Sequence, residues 1–374
     1  MRLNWNWDFC RKKTCEEISG FNPDRIIWQR LRKNPLAIVS FGFIVLLVLV
    51  ALLGYLITPD KTPYANEQHL EIAVKKPGFK VTMLKIYDRE PQNQNVFYTM
   101  LFGKKSSSTN IPIYKYEQTP QGLRYETFTG DSPNEGEIKT LDKNLRYEIS
   151  EKKYPLGTDR YGRCLLSQLM IGSRVSLSVG FIAVFIAIVI GITLGAIAGY
   201  YGGRADALIM WIINVVWSIP TILLVIAITF ALGKGFWQIF VAVGLTMWVD
   251  IARMVRGQVK SLKEKEFVLS AKVLGFSNFR IILKHILPNV VNALTVVITS
   301  NFATAILQES GLSFLGIGVQ PPMPSWGSMI KENYGYIILD ASYMAIIPGL
   351  AISLTVLSFF MLGNALRGAM EVKQ

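Results

Sequence analysis

Apolar residues in this chain come in long blocks separated by polar, charged stretches. The first block runs from about Ala37 to Ile57 without a charge. Roughly 20 apolar residues in a helix cross a hydrocarbon core of about 30 Å. Further blocks cover about 175–200, 207–232, 236–252, 290–307 and 343–366. The pattern predicts six transmembrane helices. Within the second block Ala183, Ala187, Gly191, Gly195 and Gly199 recur every four residues, which puts a smooth stripe on one helix face. Small residues at that spacing allow close helix packing, so Gly191, Gly195 and Gly199 are the expected packing residues. Pro220 in the third block removes a backbone donor and predicts a kink.

Residues 58–172 follow a different pattern. They hold 17 Lys or Arg and 14 acids, with no apolar run long enough to span. Short stretches alternate polar and apolar residues, as in 79–87 and 123–128, and that period of two marks strands. A small β-rich insert between the first and second spans is expected. Ahead of the first span, residues 1–36 carry eight Lys or Arg against four acids. The stretch from Arg25 to Pro35 reads as an amphipathic helix at the membrane surface, with Trp28 at headgroup level. The expected divisions are a cytoplasmic segment 1–36, a first transmembrane helix 37–57, an extracytoplasmic insert 58–172 and a five-helix core 173–370. That core would include a cytoplasmic loop 253–289. The fold class is an all-α polytopic membrane protein with a small β-rich extracytoplasmic insert.

Composition agrees with a membrane protein: 51% of the 374 residues are hydrophobic and 17% charged, with a mean hydropathy of +0.33. The formal net charge of +13 does not point to nucleic acid, because much of the excess flanks the apolar blocks. Positive residues there stay on the cytoplasmic side. A basic flank before the first block puts the N-terminus inside, and six crossings bring the C-terminus back inside. The loop 253–289, with eight basic residues against two acids, falls inside as well. The expected location is the cytoplasmic (inner) membrane, with no cleavable signal, since the first apolar block begins late and is too long for one. Two histidines and three cysteines form no metal-ligand pattern, and Cys10 and Cys15 have no matching pair. No metal or cofactor is expected.

The basic stretch from Lys260 to Asn289 is itself amphipathic. Phe267, Ala271 and Leu274 recur at helical spacing beside Val268. Gly275 then breaks the pattern, and Ser277 can cap a second helix running to Pro288. The sequence S-A-K-V-L-G, followed by H-I-L-P-N, resembles the E-A-A-x-x-x-G coupling loop of ABC importer permeases. Ala271, Gly275, Leu287 and Pro288 match that pattern, and Glu266 matches the upstream acid common in peptide importers. Leu269 and Ser270 stand where the family has Glu and the first Ala. The resemblance implies that Glu266, Ala271, Gly275, Phe276 and Phe279 meet an ATPase subunit.

Two further motifs narrow the family. L-G-T-D-R-Y-G-R at 156–163, leading into G-S-R-V-S-L at 172–177, resembles the approach to the second span in C-type oligopeptide and dipeptide permeases, with Cys164 in place of the usual Asp. S-F-L-G-I-G-V-Q-P-P, running into P-S-W-G at 324–327, resembles the outer-loop signature of the same permeases. Phe314, Leu315, Gly316, Gly318, Pro321, Pro322 and Trp326 are therefore candidate gate residues. The resemblance implies the type I importer permease fold. The partners it implies are a homologous B-type permease, two ATP-binding subunits, an extracytoplasmic substrate-binding protein and the lipid membrane. The chain carries no G-x-x-x-x-G-K-[ST] phosphate loop, so ATP hydrolysis is expected in the partner subunits and not in this chain. Import of nickel chelates or another small solute is the alternative within the family. A receptor or scaffold built on the insert is the alternative outside it. The resemblance does not cover most of 60–150.

Overall fold

The computed structural model describes residues 23–370 apart from 88–94, 105–107, 121, 131, 133–134 and 234. Helix α1 (Pro23–Lys33) is separated from α2 (Pro35–Ile57) by Asn34 alone. Asn34 caps α2: its side chain accepts from the amides of Leu36 at 3.1 Å and Ala37 at 3.3 Å. Pro35 at the first helical position has no N–H to satisfy. The proline expected to end the surface helix thus also starts the first span. Arg30 of α1 donates to the carbonyl of Ala369 at 3.3 Å, tying the surface helix to the end of the chain's last helix.

The insert is β-rich, as expected. Strands β1 (Phe79–Tyr87), β2 (Ser108–Thr119), β3 (Gly122–Thr127), β4 (Ile138–Asp142) and β5 (Tyr147–Tyr154) form one antiparallel sheet in the order β4-β3-β2-β1-β5. A short helix α3 (Val96–Phe102) lies between β1 and β2. Alternation gives the sheet two distinct sides. Leu84, Ile86, Ile113, Leu123, Tyr125 and Leu141 cluster on one. Val81 and Met83 pack with Ile72, Phe128, Tyr154 and Cys164, and Cys164 directly precedes the helical bundle. The insert therefore stands on the bundle.

The bundle begins with α4 (Leu165–Tyr201), 37 residues long. The third apolar block is broken more sharply than a kink. Helices α5 (Gly203–Trp217) and α6 (Thr221–Leu232) meet at 93°. Pro220 sits between them in an extended conformation, and neither the proline nor the residue before it favours continuing the helix. Legs of 15 and 12 residues rise only about 22 and 18 Å, so neither crosses a bilayer of about 30 Å alone.

Helix α7 (Phe236–Lys263) continues eleven residues beyond the point where the apolar block ends. Val255 and Val259, fully buried in this extension, keep it packed past the first arginines. Helix α8 (Glu266–Val273) and a turn lead to α9 (Asn278–Ile281). This runs through a π-turn at Ile282–Ile286 into α10 (Leu287–Phe314). Pro288 explains the π-turn: it cannot donate to Lys284, and its ring crowds that carbonyl, so the helix widens by a residue instead of stopping. Helices α11 (Trp326–Asn333) and α12 (Tyr343–Met370) complete the bundle. Among the described residues, five helical stretches are long and apolar enough to span a membrane, and the bent α5–α6 pair makes a sixth if taken as one broken span.

Candidate functional site

The basic amphipathic stretch folds as a hairpin. Helix α8 ends at Leu274, Gly275 takes φ +79°, and two backbone bonds close the turn. The Gly275 amide donates to Lys272 at 2.9 Å and the Phe276 amide to Ala271 at 3.1 Å. This is the Schellman arrangement, in which a left-handed residue satisfies the last carbonyls of a helix. Ser277 occupies the N-cap of α9 but makes no side-chain capping bond.

Burial sorts the residues that sequence assigned to coupling. Val268 and Ala271 face inward, and Ala271, only 4% exposed, belongs to the bundle's own core together with Val259 and Ile281. Within this chain, the small side chain of Ala271 lets α8 lie close against the chain's own helices. Phe276 is also occupied internally, stacked on His285 at 5.7 Å, with Arg280 Cζ 4.4 Å from its ring centre. Gly275 shapes the turn. Glu266 and Phe279 are exposed. The open face is apolar and includes Leu269, Val273 at 88% exposure, Leu274 at 71% and Phe279 at 72%.

Tyr200, at the end of α4, ties this hairpin to the bundle. Its hydroxyl donates to Asn278 Oδ1 at 2.7 Å, and its carbonyl accepts from Lys263 Nζ at 2.6 Å. Lys263 and Lys272 both lie 5.5 Å from its ring. Sequence reasoning missed Tyr200, because no spacing rule links it to a loop more than 60 residues away. From Tyr200 the small-residue stripe runs back along α4 against α7. A Cβ placed at Gly191 would come within 2.6 Å of Ile251, at Gly195 within 2.5 Å of the Ala252 carbonyl, and at Gly199 within 2.7 Å of the Arg256 carbonyl. At each of the three positions an added side chain would collide with α7.

At the opposite end, α10 finishes with the same kind of turn. Gly316 takes φ +81°, and the amides of Gly316 and Ile317 donate to Ser313 and Leu312 at 3.0 Å. A side chain at Gly318 would collide with Ser313. The Ser313 hydroxyl donates to the buried Glu309 carboxylate at 2.7 Å and accepts from the Val319 amide at 3.2 Å. Ser176 of α4 donates to the other Glu309 oxygen at 2.9 Å. Glu309 thus holds the loop to α4. The peptide bond between Pro321 and Pro322 is cis. Ser325 then caps α11 in a reciprocal pair with Ser328. Trp326 is almost wholly buried and donates from Nε1 to the Leu169 carbonyl at 3.0 Å. Gly318 and Trp326 therefore clamp the loop, while Phe314, Leu315, Pro321 and Pro322 remain exposed.

The 156–163 motif reaches the same loop. Buried Asp159 accepts from the Arg163 amide at 2.8 Å and from its Nε at 2.6 Å. Arg163 Nη2 also bonds Glu332 of α11 at 2.5 Å. A charged side chain this deep is stable only when paired, and here the pair joins the insert's exit to α11. Cys164 lies beside it, 2% exposed, and burial pushes its thiol up from the ordinary value.

The bundle thus presents an exposed apolar hairpin face at one end and a glycine- and proline-rich loop at the other. Residues 191–372 match the family described as binding-protein-dependent transport system inner membrane component. Residues 23–77 match the N-terminal transmembrane domain of oligopeptide transport permease C. The chain is 43% identical over 217 residues to the dipeptide transport system permease protein DppC of Alkalihalophilus pseudofirmus, spanning 58% of this chain and 71% of that one. It is 40% identical over 235 residues to DppC of Bacillus subtilis, spanning 61% and 73%. It is 41% identical over 218 residues to the glutathione transport system permease protein GsiD of Pectobacterium atrosepticum, spanning 58% and 72%. Among solved structures it is similar to the MetNI methionine ABC transporter in an inward-facing conformation, with a TM-score of 0.44 and 23% identity over 55% of this chain and 96% of that chain. The chain belongs to the binding-protein-dependent transport system inner membrane component family, within its oligopeptide and dipeptide permease branch, and is a multi-pass membrane protein.

Proposed function

We propose that this chain is the C-type permease subunit of a peptide importer. It forms half of a translocation pathway beside a homologous B-type permease. Two ATP-binding subunits drive it, and an extracytoplasmic substrate-binding protein supplies it. Both termini and the α8–α9 hairpin lie in the cytoplasm, and the insert and the 315–342 loop lie outside. ATP is hydrolysed in the partner subunits. Relatives named for dipeptide and glutathione transport support a peptide over a nickel chelate as the cargo.

The observation that carries this proposal is the open apolar face of the hairpin, at Leu269, Val273, Leu274 and Phe279. An apolar helical face of this kind fits a groove on a partner. Its inner side is bonded to Tyr200 and so to α4. Closure of the ATPase pair would displace the hairpin, and α4 and α7, locked by the glycine stripe, would move as one body. The loop held by Glu309 and Trp326 would follow at the outer end. Each ligand biases the inward and outward states only through the difference in its affinity for them.

Val273→Asp and Leu274→Asp test the proposal. Both side chains project into open space, so membrane insertion and melting temperature stay unchanged. Copurification of the ATP-binding subunits and peptide uptake by reconstituted vesicles fall together, by more than about tenfold for an unpaired charge placed in an apolar interface. Full copurification and uptake with both substitutions present would remove the hairpin from coupling.

A further inference from the structure

The sheet of the insert lies outside both family-matched segments, 23–77 and 191–372, and it carries a polar cavity of about 450 Å³. Strand register builds the floor of that cavity. Lys85 on β1 is paired with Asn110 on β2, Tyr87 with Ser108, and Met83 with Ser150 on β5. These side chains share one side of the sheet, opposite the apolar cluster around Leu84 and Ile86. The segment from Pro59 to Glu67 forms the roof, and Lys104 closes one end, its amide bonded to the Lys61 carbonyl at 2.7 Å.

The acids that line the cavity are already engaged. Asp60 accepts from the Thr62 amide at 2.8 Å, from the Thr62 hydroxyl at 2.7 Å and from the Glu67 amide at 3.1 Å. Glu67 accepts from Asn110 and pairs with Lys152 at 2.7 Å. Glu151 pairs with Lys80 at 3.5 Å. The remaining cations are not engaged in this way. Among the described residues, Lys61, Lys85, Lys104 and Arg146 make no ion pair with a carboxylate. Two of them are positioned by an aromatic ring instead. Lys85 Nζ lies 5.0 Å and Arg146 Cζ 5.5 Å from the centre of Tyr87, and the Tyr87 hydroxyl is fixed by Glu148 at 2.6 Å. A cation held on a ring keeps its N–H donors available.

Like charges gathered around one cavity repel one another, and an anion between them relieves that repulsion. The volume suits a small molecule. We propose that this cavity binds a compact multivalent oxyanion carrying phosphate or carboxylate groups, held by Lys61, Lys85, Lys104 and Arg146 through charge-assisted hydrogen bonds. The site would give the insert a ligand of its own, apart from the translocation pathway.

The test uses the full chain in lipid nanodiscs and titrates inorganic phosphate and citrate separately by calorimetry. Saturable binding of one ion per chain is expected for at least one probe, and the stronger probe identifies the group. The double variant Lys104→Ala with Arg146→Ala weakens binding at least tenfold. Lys104→Arg with Arg146→Lys restores it, and Lys139→Ala, on β4 away from the cavity, leaves it unchanged. Lys104 and Arg146 are exposed, so the sheet should fold in every variant, and circular dichroism checks this. The proposal is overturned if neither probe binds saturably, or if the alanine double variant, folded, binds as tightly as the parent chain.

Discussion

At Gly275 a side chain would have room but not the right backbone. An added Cβ meets open space, so the cost of substitution lies in φ +79° alone. A β-branched residue there strains the turn by about 1–2 kcal/mol, whereas asparagine tolerates the left-handed region. Gly275→Val should therefore speed amide exchange across 266–281 and weaken ATPase copurification, and Gly275→Asn should do neither. Ala271→Trp differs in kind. Its site is inside the bundle, and overfilling a packed site costs about 1–3 kcal/mol, so the purified permease should melt at a lower temperature before any partner is added. An unchanged melting temperature would place residue 271 on the outer face after all. Glu67 carries a pH prediction. Burial opposes its charge, but bonds from His69, Lys152 and Asn110 outweigh burial and hold the carboxyl well below its usual value of 4.5. A depressed carboxyl contributes stability above its unfolded value and loses it as pH falls through the folded one. The insert should lose stability on acidification below about pH 4.5, and more steeply in the parent than in Glu67→Gln. Parallel acid profiles would contradict this.

Between elements, the four-residue stripe on α4 is the most readable feature of the sequence, because small side chains at helical spacing have one physical use. Gly195 tests it. Its absent Cβ would already lie 2.5 Å from the Ala252 carbonyl, so Gly195→Leu must push α4 and α7 apart. A loss of roughly 1–3 kcal/mol is expected from overpacking, read as a lower melting temperature and as uptake lost together with stability. Gly257→Ala, where an added Cβ meets nothing within 4 Å, is the matched control. Strand β1 was equally readable, its bounds falling on the stretch 79–87. Helix ends were not. Charges at Arg253 and Arg256 end an apolar block but not a helix whose buried Val255 and Val259 keep it packed. Pro220 announces a break, but its 93° angle depends on what each leg packs against. Contacts that join distant segments, such as Arg163 with Glu332, Tyr200 with Asn278 and Ser176 with Glu309, have no local signature. For the same reason the sequence does not separate Trp326 and Gly318, which are buried, from the exposed residues of the outer loop.

Across the whole molecule, the insert and the bundle meet through two layers that can be separated. Residues 69–75 are stitched to 157–163: His69 donates to the Tyr161 carbonyl, Val74 to Asp159, and Thr158 to Lys75, each at 3.0 Å. The sheet lies beyond this layer. Its first and last strands are antiparallel neighbours, with Phe79 directly paired to Tyr154, so a linker of a few residues can replace 79–154 without moving 78 or 155. A cut from 65 to 150 would instead remove the 69–75 side of the stitching, whereas both cuts remove the Met100 and Leu101 carbonyls that bond Arg174 of α4. The shorter excision should leave membrane insertion and ATPase copurification intact. It also uncovers Cys164, whose neighbours Val81, Met83 and Tyr154 leave with the sheet. A membrane-impermeant thiol reagent applied to intact cells (with any outer membrane permeabilised) should leave Cys164 of the parent chain unmodified, because it is buried. The same reagent should label it in the excised chain. Cys10 and Cys15 lie outside the described residues and are expected in the cytoplasm, so neither should react in either chain. Reaction at Cys10 would invert the proposed orientation. Loss of ATPase copurification in the excised chain would make the sheet part of the permease core instead of a domain standing on it.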